Sequence, residues 1–181
     1  MTHYSHTLSK RGYTLLEFLL TLTVIAILTT MAAGGTQRLR ARIAMNTNIN
    51  NLIHAIHDAR SRALMSGDEV VICPTRTGSR CVAESTWESG WLAFQTTAPG
   101  ETQPQADARL NVSEPLTGLS VRANRQAFVL RPFGRRSTNG TLVFCNLRAL
   151  TGARAIIVSY TGKPRISDRD SAGRPLTCRD V

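Results

Sequence analysis

The chain has 181 residues, 42% of them hydrophobic, and its 22 Lys+Arg against 12 Asp+Glu give a net charge of +10. That length leaves room for one soluble domain with its own core beside a membrane segment, and the absence of repeats and low-complexity tracts excludes an array or solenoid. The charge is unevenly placed: residues 13–118 hold eight Arg against nine acids, whereas residues 119–181 hold eleven Arg and Lys163 against Asp168, Asp170 and Asp180, a local excess of +9. A basic face of this kind attracts polyanions such as nucleic acid, anionic lipid or an acidic protein surface. Codon usage accounts for 20 Arg against 2 Lys, but not for the scarcity of acids after Leu119.

From Leu15 to Ala33 the only charge is Glu17, and at about 1.5 Å per residue a helix of that length roughly crosses a ~30 Å hydrocarbon core. A carboxylate on a lone spanning helix costs on the order of 2.5–3.5 kcal/mol and needs a partner. No basic residue lies within the run. Proteolysis between Gly12 and Tyr13 would create an amine one helical turn from a carboxylate on this or a neighbouring copy, which makes the helix a self-assembly element. An ordinary signal peptide, with Thr30 to Gly35 as a loose cleavage site, leaves Glu17 unexplained.

Gly12-Tyr13-Thr14-Leu15-Leu16-Glu17, after Lys10-Arg11, resembles the class III signal of type IV pilins and type II secretion pseudopilins. The resemblance implies that a prepilin peptidase cuts after Gly12 and methylates the new amine of Tyr13, which stands where phenylalanine is usual, and that Glu17 guides packing among other pilins in a filament. It also implies a single span in the inner membrane of a Gram-negative bacterium, with a periplasmic domain that passes into a filament or its tip. The fold implied is α+β and pilin-like: a long N-terminal helix packed on an antiparallel β-sheet domain. The expected layout is a leader over 1–12, a membrane and assembly half-helix over 13–35, an amphipathic half-helix over 36–67, and a β-rich domain over 68–181 with a basic C-terminal tail.

Gly34-Gly35 weakens the helix by about 1 kcal/mol per residue and predicts a hinge, as a bend or a melted turn. The apolar pattern resumes with Leu39 and Ile43, then Ile49, Leu52, Ile53, Ile56, Ala59 and Ala63, until Gly67 closes it; this face is expected to pack on a sheet. His54 and His57 share one helix face, but no acid or cysteine completes a metal site beside them, and His3 and His6 leave with the leader. Beyond Gly67 the expected strands are Glu69 to Cys73, Trp91 to Thr96, Leu119 to Ala123, Ala127 to Arg131, Thr141 to Leu147 and Ala155 to Tyr160, with a long loop from Thr97 to Asp107. Trp87-Glu88-Ser89-Gly90-Trp91-Leu92-Ala93-Phe94 reads as a turn at Gly90 and a strand with Trp91 and Ala93 on one face and Leu92 and Phe94 on the other. Core packing accounts for these aromatics, and a base-stacking platform is the alternative. The stretch resembles the tryptophan-glycine-tryptophan segment of the FimT/GspH group of minor pilins and pseudopilins.

Cys73, Cys81, Cys145 and Cys178 all follow the apolar run, on the side a basic leader would place outside the cytoplasm. An even count there suggests disulfides, with three possible connectivities. Cys73 to Cys81 encloses Pro74 and Gly78, suited to a turn, and Cys145 to Cys178 would clip the tail to the domain, so these two bridges are favoured. A zinc site is the alternative, without Cys-x-x-Cys spacing to support it. No metal and no cofactor is expected.

The strand from Ala155 ends in a turn at Thr161-Gly162 and presents Lys163 and Arg165, which alternation lets project to one side. Arg169, Arg174 and Arg179 follow, and Arg148 and Arg154 flank the approach. Gly162-Lys163-Pro164-Arg165 resembles the glycine-arginine-x-arginine motif of FimT proteins that bind DNA for uptake in natural transformation. The resemblance implies contact to the phosphate backbone of DNA, without base readout, through Lys163, Arg165, Arg169, Arg174, Arg148 and Arg154. Lys163 replaces an arginine, so the charge is kept and the planar fork is lost. The rival reading is a minor pilin or pseudopilin that acts only in filament initiation or assembly. No convergence of Asp, His and Ser or Cys suggests an enzyme.

Overall fold

The computed structural model describes residues 12–105, 108–148 and 151–178. Residues 1–11 of the expected 1–12 leader, with Lys10 and Arg11, and Arg179 near the C terminus lie outside the described residues. One helix, α1 (Leu15–Ser66), precedes eight strands: β1 (Glu69–Pro74), β2 (Trp91–Thr96), β3 (Arg109–Val112), β4 (Leu119–Ala123), β5 (Phe128–Leu130), β6 (Gly140–Asn146), β7 (Arg154–Val158) and β8 (Pro164–Ser167). The chain divides at Leu39/Arg40 into two compact units.

In the first unit, Thr14 caps the helix: its Oγ1 accepts from the Glu17 amide at 3.3 Å, and the Phe18 amide donates to its carbonyl. Thr14-x-x-Glu17 therefore occupies the two positions of a capping box, where an acid also meets the positive end of the helix. The apolar side chains Leu15, Leu16, Phe18, Leu19, Leu20, Ile25, Ile27 and Leu28 all stand exposed. Among the described residues no helix is long and apolar enough to cross a membrane. The side chains of residues 31–35, which continue the apolar run, are not among those described. Helical structure continues through Gly34-Gly35, so the expected melted turn does not form.

The second unit holds both hydrophobic clusters and all four cysteines, and so carries a core of its own. Met45, Ile49, Leu52, Ile56, Ala59 and Ala63 form the buried stripe of α1, spaced three and four apart as one helix face requires. The expected stripe began earlier, at Leu39 and Ile43, but these are 59% and 55% exposed, so packing on the domain begins at Met45. Gly67 adopts φ 79° and its amide donates to Ala63 O, the left-handed C-terminal cap that glycine supplies at no steric cost. His54 and His57 are exposed.

The strands form two antiparallel sheets, ordered β3-β2-β1-β5 and β4-β6-β7-β8. α1 packs against the inner face of both, with Val70, Ile72, Trp91, Ala93, Val121, Leu142, Phe144, Ile156 and Val158 in the shared core. On β2 the alternation expected from sequence holds: Leu92 and Phe94 join Val71, Cys73 and Val129 in a second cluster on the opposite face of the first sheet. Trp87 and Trp91 are buried at 0% and 2% exposure, and Trp87 meets Phe128 edge to face at 5.6 Å, which removes them as a base-stacking surface. Gly90, at φ 105°, lets the chain pass where a Cβ would lie 2.7 Å from Ser113 O.

β3 and β8 were not expected from sequence. Both are four-residue edge strands without a buried side chain, so neither shows the apolar alternation that marks a half-buried strand. Pro164 sits at the first position of β8, where its missing N–H costs no ladder bond.

Candidate nucleic-acid interface

Register decides which way the basic side chains point. β7 pairs with β8 through Ile156↔Ile166 and Ile157↔Arg165, and β6 with β7 through Leu142↔Ile156 and Thr141↔Ile157. Leu142 and Ile156 face the shared core, so Thr141, Ile157 and Arg165 form a row on the outer face of the second sheet. The Ser159 amide donates to Lys163 O and the Lys163 amide to Ser159 Oγ at 3.2 Å, which extends the hairpin and carries Lys163 to the same side as Arg165. On β4, opposite Val143, Arg122 is a further exposed cation on this outer face. Its signal was present in the alternation of Leu119-Ser120-Val121-Arg122-Ala123, where the apolar positions mark the inner face.

The tip of the hairpin is fixed from behind. Arg60, on α1, donates from Nε to Thr161 O at 2.8 Å. At Gly162, φ is 73°, and an added Cβ would lie 2.8 Å from Leu130 Cδ1 and 3.2 Å from Ser137 Oγ. A side chain there is excluded by both backbone strain and contact, so glycine before Lys163 is needed for the hairpin to dock.

After β8 the chain turns back over the outer face. The Cys145–Cys178 bridge ties the tail to β6, and the Cys73–Cys81 bridge closes the turn after β1. Tail residues Asp170, Arg174 and Leu176 line a groove together with Arg122, Thr141 and Val143. Ala155 and Ile157 are buried although they point away from the helix, on the face over which the tail returns.

The tail turn is held by its own charges. Arg174 Nε meets Asp170 Oδ2 at 2.7 Å, and Asp170 Oδ1 accepts from the amides of Ala172 and Arg174. The Arg174 amide and then its guanidinium hold the Asp170 carboxyl below its ordinary value. Arg169 donates from Nη1 to Gly173 O at 3.0 Å. By contrast, the side chains of Lys163, Arg165, Arg148 and Arg154 are exposed and form no hydrogen bond or ion pair among the described residues.

The six cations expected to act together therefore fall into three groups. Lys163 and Arg165 share the hairpin, Arg169 and Arg174 build the tail turn, and Arg148 and Arg154 lie at the far end of β7, about 13 Å along the strand from the hairpin. Among the described residues no group of His, Cys, Asp and Glu is arranged to hold a metal.

A family model described as "Type II transport protein GspH" matches residues 48–162, more than half of the sequence. The chain belongs to the GspH family. A second model, the prokaryotic N-terminal methylation motif, matches residues 8–33 of this GspH-family chain. No curated relative matches it. Among solved structures, the type IV minor pilin FimU of Pseudomonas aeruginosa PAO1 is 17% identical, with 74% of this chain and 98% of FimU covered at a TM-score of 0.53. A second crystal form of FimU gives 18% identity over 76% of this chain and 96% of its own, again at 0.53. The minor pseudopilin EpsH of the Vibrio cholerae type 2 secretion system is 14% identical, covering 68% of this chain and 95% of its own at 0.49. The fold is thus that of the minor pilins, and the protein is an envelope component of pilin or pseudopilin type with a structural, non-enzymatic role. Membership and the methylation motif imply processing by prepilin peptidase and partners within a filament.

Proposed function

We propose that this GspH-family chain is a minor type IV pilin that binds extracellular DNA through its phosphate backbone, for uptake in natural transformation. The observation that carries this reading is the pair Lys163 and Arg165, exposed on one hairpin with no acid or carbonyl to satisfy them among the described residues, in a third of the chain that is short of acids. Cations left free in this way exchange counterions for phosphates, and their affinity is independent of sequence and falls with salt. Arg122 adds a third contact on the same face, while Arg148, Arg154, Arg169 and Arg174 contribute to the field at longer range.

In this reading residues 1–12 are removed between Gly12 and Tyr13 and the new amine is methylated. Residues 13–35 anchor the chain in the inner membrane and then in the filament, where Glu17 meets the amine of a neighbouring copy. Residues 36–67 join this segment to the domain formed by 68–181, which is displayed outside the cytoplasm. The exposed apolar side chains from Leu15 to Leu28 support a segment covered by lipid or by other subunits.

Fragment 40–181, titrated with duplex DNA at several salt concentrations, tests the reading. The expected log-log salt slope is about −2 to −4, from two to five engaged cations. The Lys163→Gln/Arg165→Gln variant should bind more weakly, with a slope shallower by about 2. Absence of binding by the parent, or no change in the variant, would leave filament assembly as the sole role.

A further inference from the structure

Burial of Trp87 and Trp91 closes the alternative of a stacking surface there, and the most exposed aromatic among the described residues of the second unit is Phe133, at 93%. It tops the loop from Arg131 to Ser137 between β5 and β6, which a buried carboxylate holds in place. Glu69, 3% exposed, accepts from Arg131 Nε at 3.0 Å and Arg135 Nη2 at 2.7 Å, while Arg131 Nη1 donates to Arg136 O at 2.9 Å. Ser137 Oγ accepts from the Arg131 amide, and the Ser137 amide donates to Tyr160 O. The loop is thus held by Glu69 from one side and by the hairpin from the other, with the Phe133 ring left in solvent.

The surroundings of Phe133 are cationic and aromatic. The Arg136 guanidinium lies 5.5 Å from the centre of the Tyr160 ring, and Tyr160 is itself 54% exposed. Ser137 touches the hairpin tip at Gly162, next to Lys163. Arg60, Arg136 and Lys163 have no acidic partner among the described residues. A stacking surface therefore adjoins the point where the Lys163 and Arg165 row begins. A double helix offers such a surface only phosphates, because its bases are stacked on one another. A single strand offers phosphates to the cations and free base faces to Phe133 and to the Arg136–Tyr160 pair.

We propose that the loop from Arg131 to Ser137 is a base-stacking site, with Phe133 as its platform, that gives this domain a preference for single-stranded DNA. The site rests on the DNA-binding reading above and extends it to strand form. The test measures binding of fragment 40–181 to oligothymidine of 20 nucleotides and to a 20-base-pair duplex by fluorescence anisotropy, with Phe133→Ala, Phe133→Trp and the Lys163→Gln/Arg165→Gln variant alongside. Phe133→Ala should weaken the single strand about tenfold and the duplex less than twofold, and Phe133→Trp should restore the single-strand affinity. The hairpin variant should weaken both. Equal effects of Phe133→Ala on both forms, or none on either, with the parent still binding, would overturn the stacking site and leave the phosphate-binding reading intact. Failure of the parent to bind either DNA would overturn both. Vesicles of phosphatidylglycerol form the last arm: Phe133-dependent vesicle binding without Phe133-dependent binding of oligothymidine would overturn the proposal in favour of a membrane contact.

Discussion

The hairpin at Lys163 and Arg165 and the turn at Arg169 and Arg174 carry the same number of cations within twelve residues of each other, yet they stand in opposite states. In the turn, Arg174 Nε closes on Asp170 at 2.7 Å and Arg169 Nη1 on Gly173 O at 3.0 Å, so each guanidinium gives one N–H to holding the chain. In the hairpin, the backbone is held by Ser159, by Arg60 and by the docking of Gly162, and neither cationic side chain is needed for that purpose. Charge that builds structure is lost to a ligand unless the structure gives way, whereas charge left over is free to bind. In the DNA-binding reading proposed above, phosphate contact falls to the hairpin, and the turn keeps the tail across the outer face of the second sheet.

The largest effect should come from freeing the tail altogether. Chain-entropy arguments give the Cys145–Cys178 bridge, with a sequence separation of 33, about 4 kcal/mol. The Cys145→Ser/Cys178→Ser variant should lose stability on that order in chemical unfolding, with faster hydrogen exchange at Ala155 and Ile157. Full retention of stability would show that the tail is not the cover of that face.

Next in size is the contrast between the two cation pairs. At about 0.15 M salt, Lys163→Gln/Arg165→Gln should lower duplex affinity by tens of fold, and Arg169→Gln/Arg174→Gln by no more than a few fold. Comparable losses from the two variants would break the division between binding and structural charge. A smaller change of opposite sign is expected from Asp170→Asn, which frees Arg174: duplex affinity should rise a few fold, with a salt slope steeper by about 1. An unchanged slope would mean that Arg174 still has no access to phosphate.

The smallest effect concerns acid. Because the Asp170 carboxyl is held below its ordinary value by the Arg174 amide and guanidinium, its contribution to the turn is present above the unfolded value of about 3.8 and is lost as pH falls through the lower folded value. Nuclear magnetic resonance shifts of Ala172 and Arg174 amides should therefore hold constant down to about pH 4 and move only below it. Movement near neutral pH would contradict the pairing.

Local periodicity was enough for the elements that bury side chains. The three-and-four spacing from Ile49 to Ala63 and the apolar runs at β1, β2, β4, β6 and β7 are legible because burial selects the residues on one face. The edges were not legible. β3 and β8 take their form from the neighbours they pair with, and none of their own side chains is buried. The same limit hid the stacking loop: nothing local to Pro132-Phe133-Gly134 marks it, because what holds it is Glu69, 62 residues before Arg131.

By itself, then, the sequence determined the processing motif around Gly12 and Glu17, the amphipathic helix, the main strands and the concentration of positive charge after Leu119, since each is written in residues close together along the chain. Only the tertiary structure decided that Trp87 and Trp91 are core, that Phe133 is not, and that Lys163 and Arg165 remain unpaired while Arg169 and Arg174 do not. Whether a charge or a ring is available to a ligand depends on what lies within a few ångströms of it. For Trp87 and for the loop that carries Phe133 those neighbours come from distant parts of the chain, and for Arg169 and Arg174 they lie four residues away in a turn that forms only when the tail is folded.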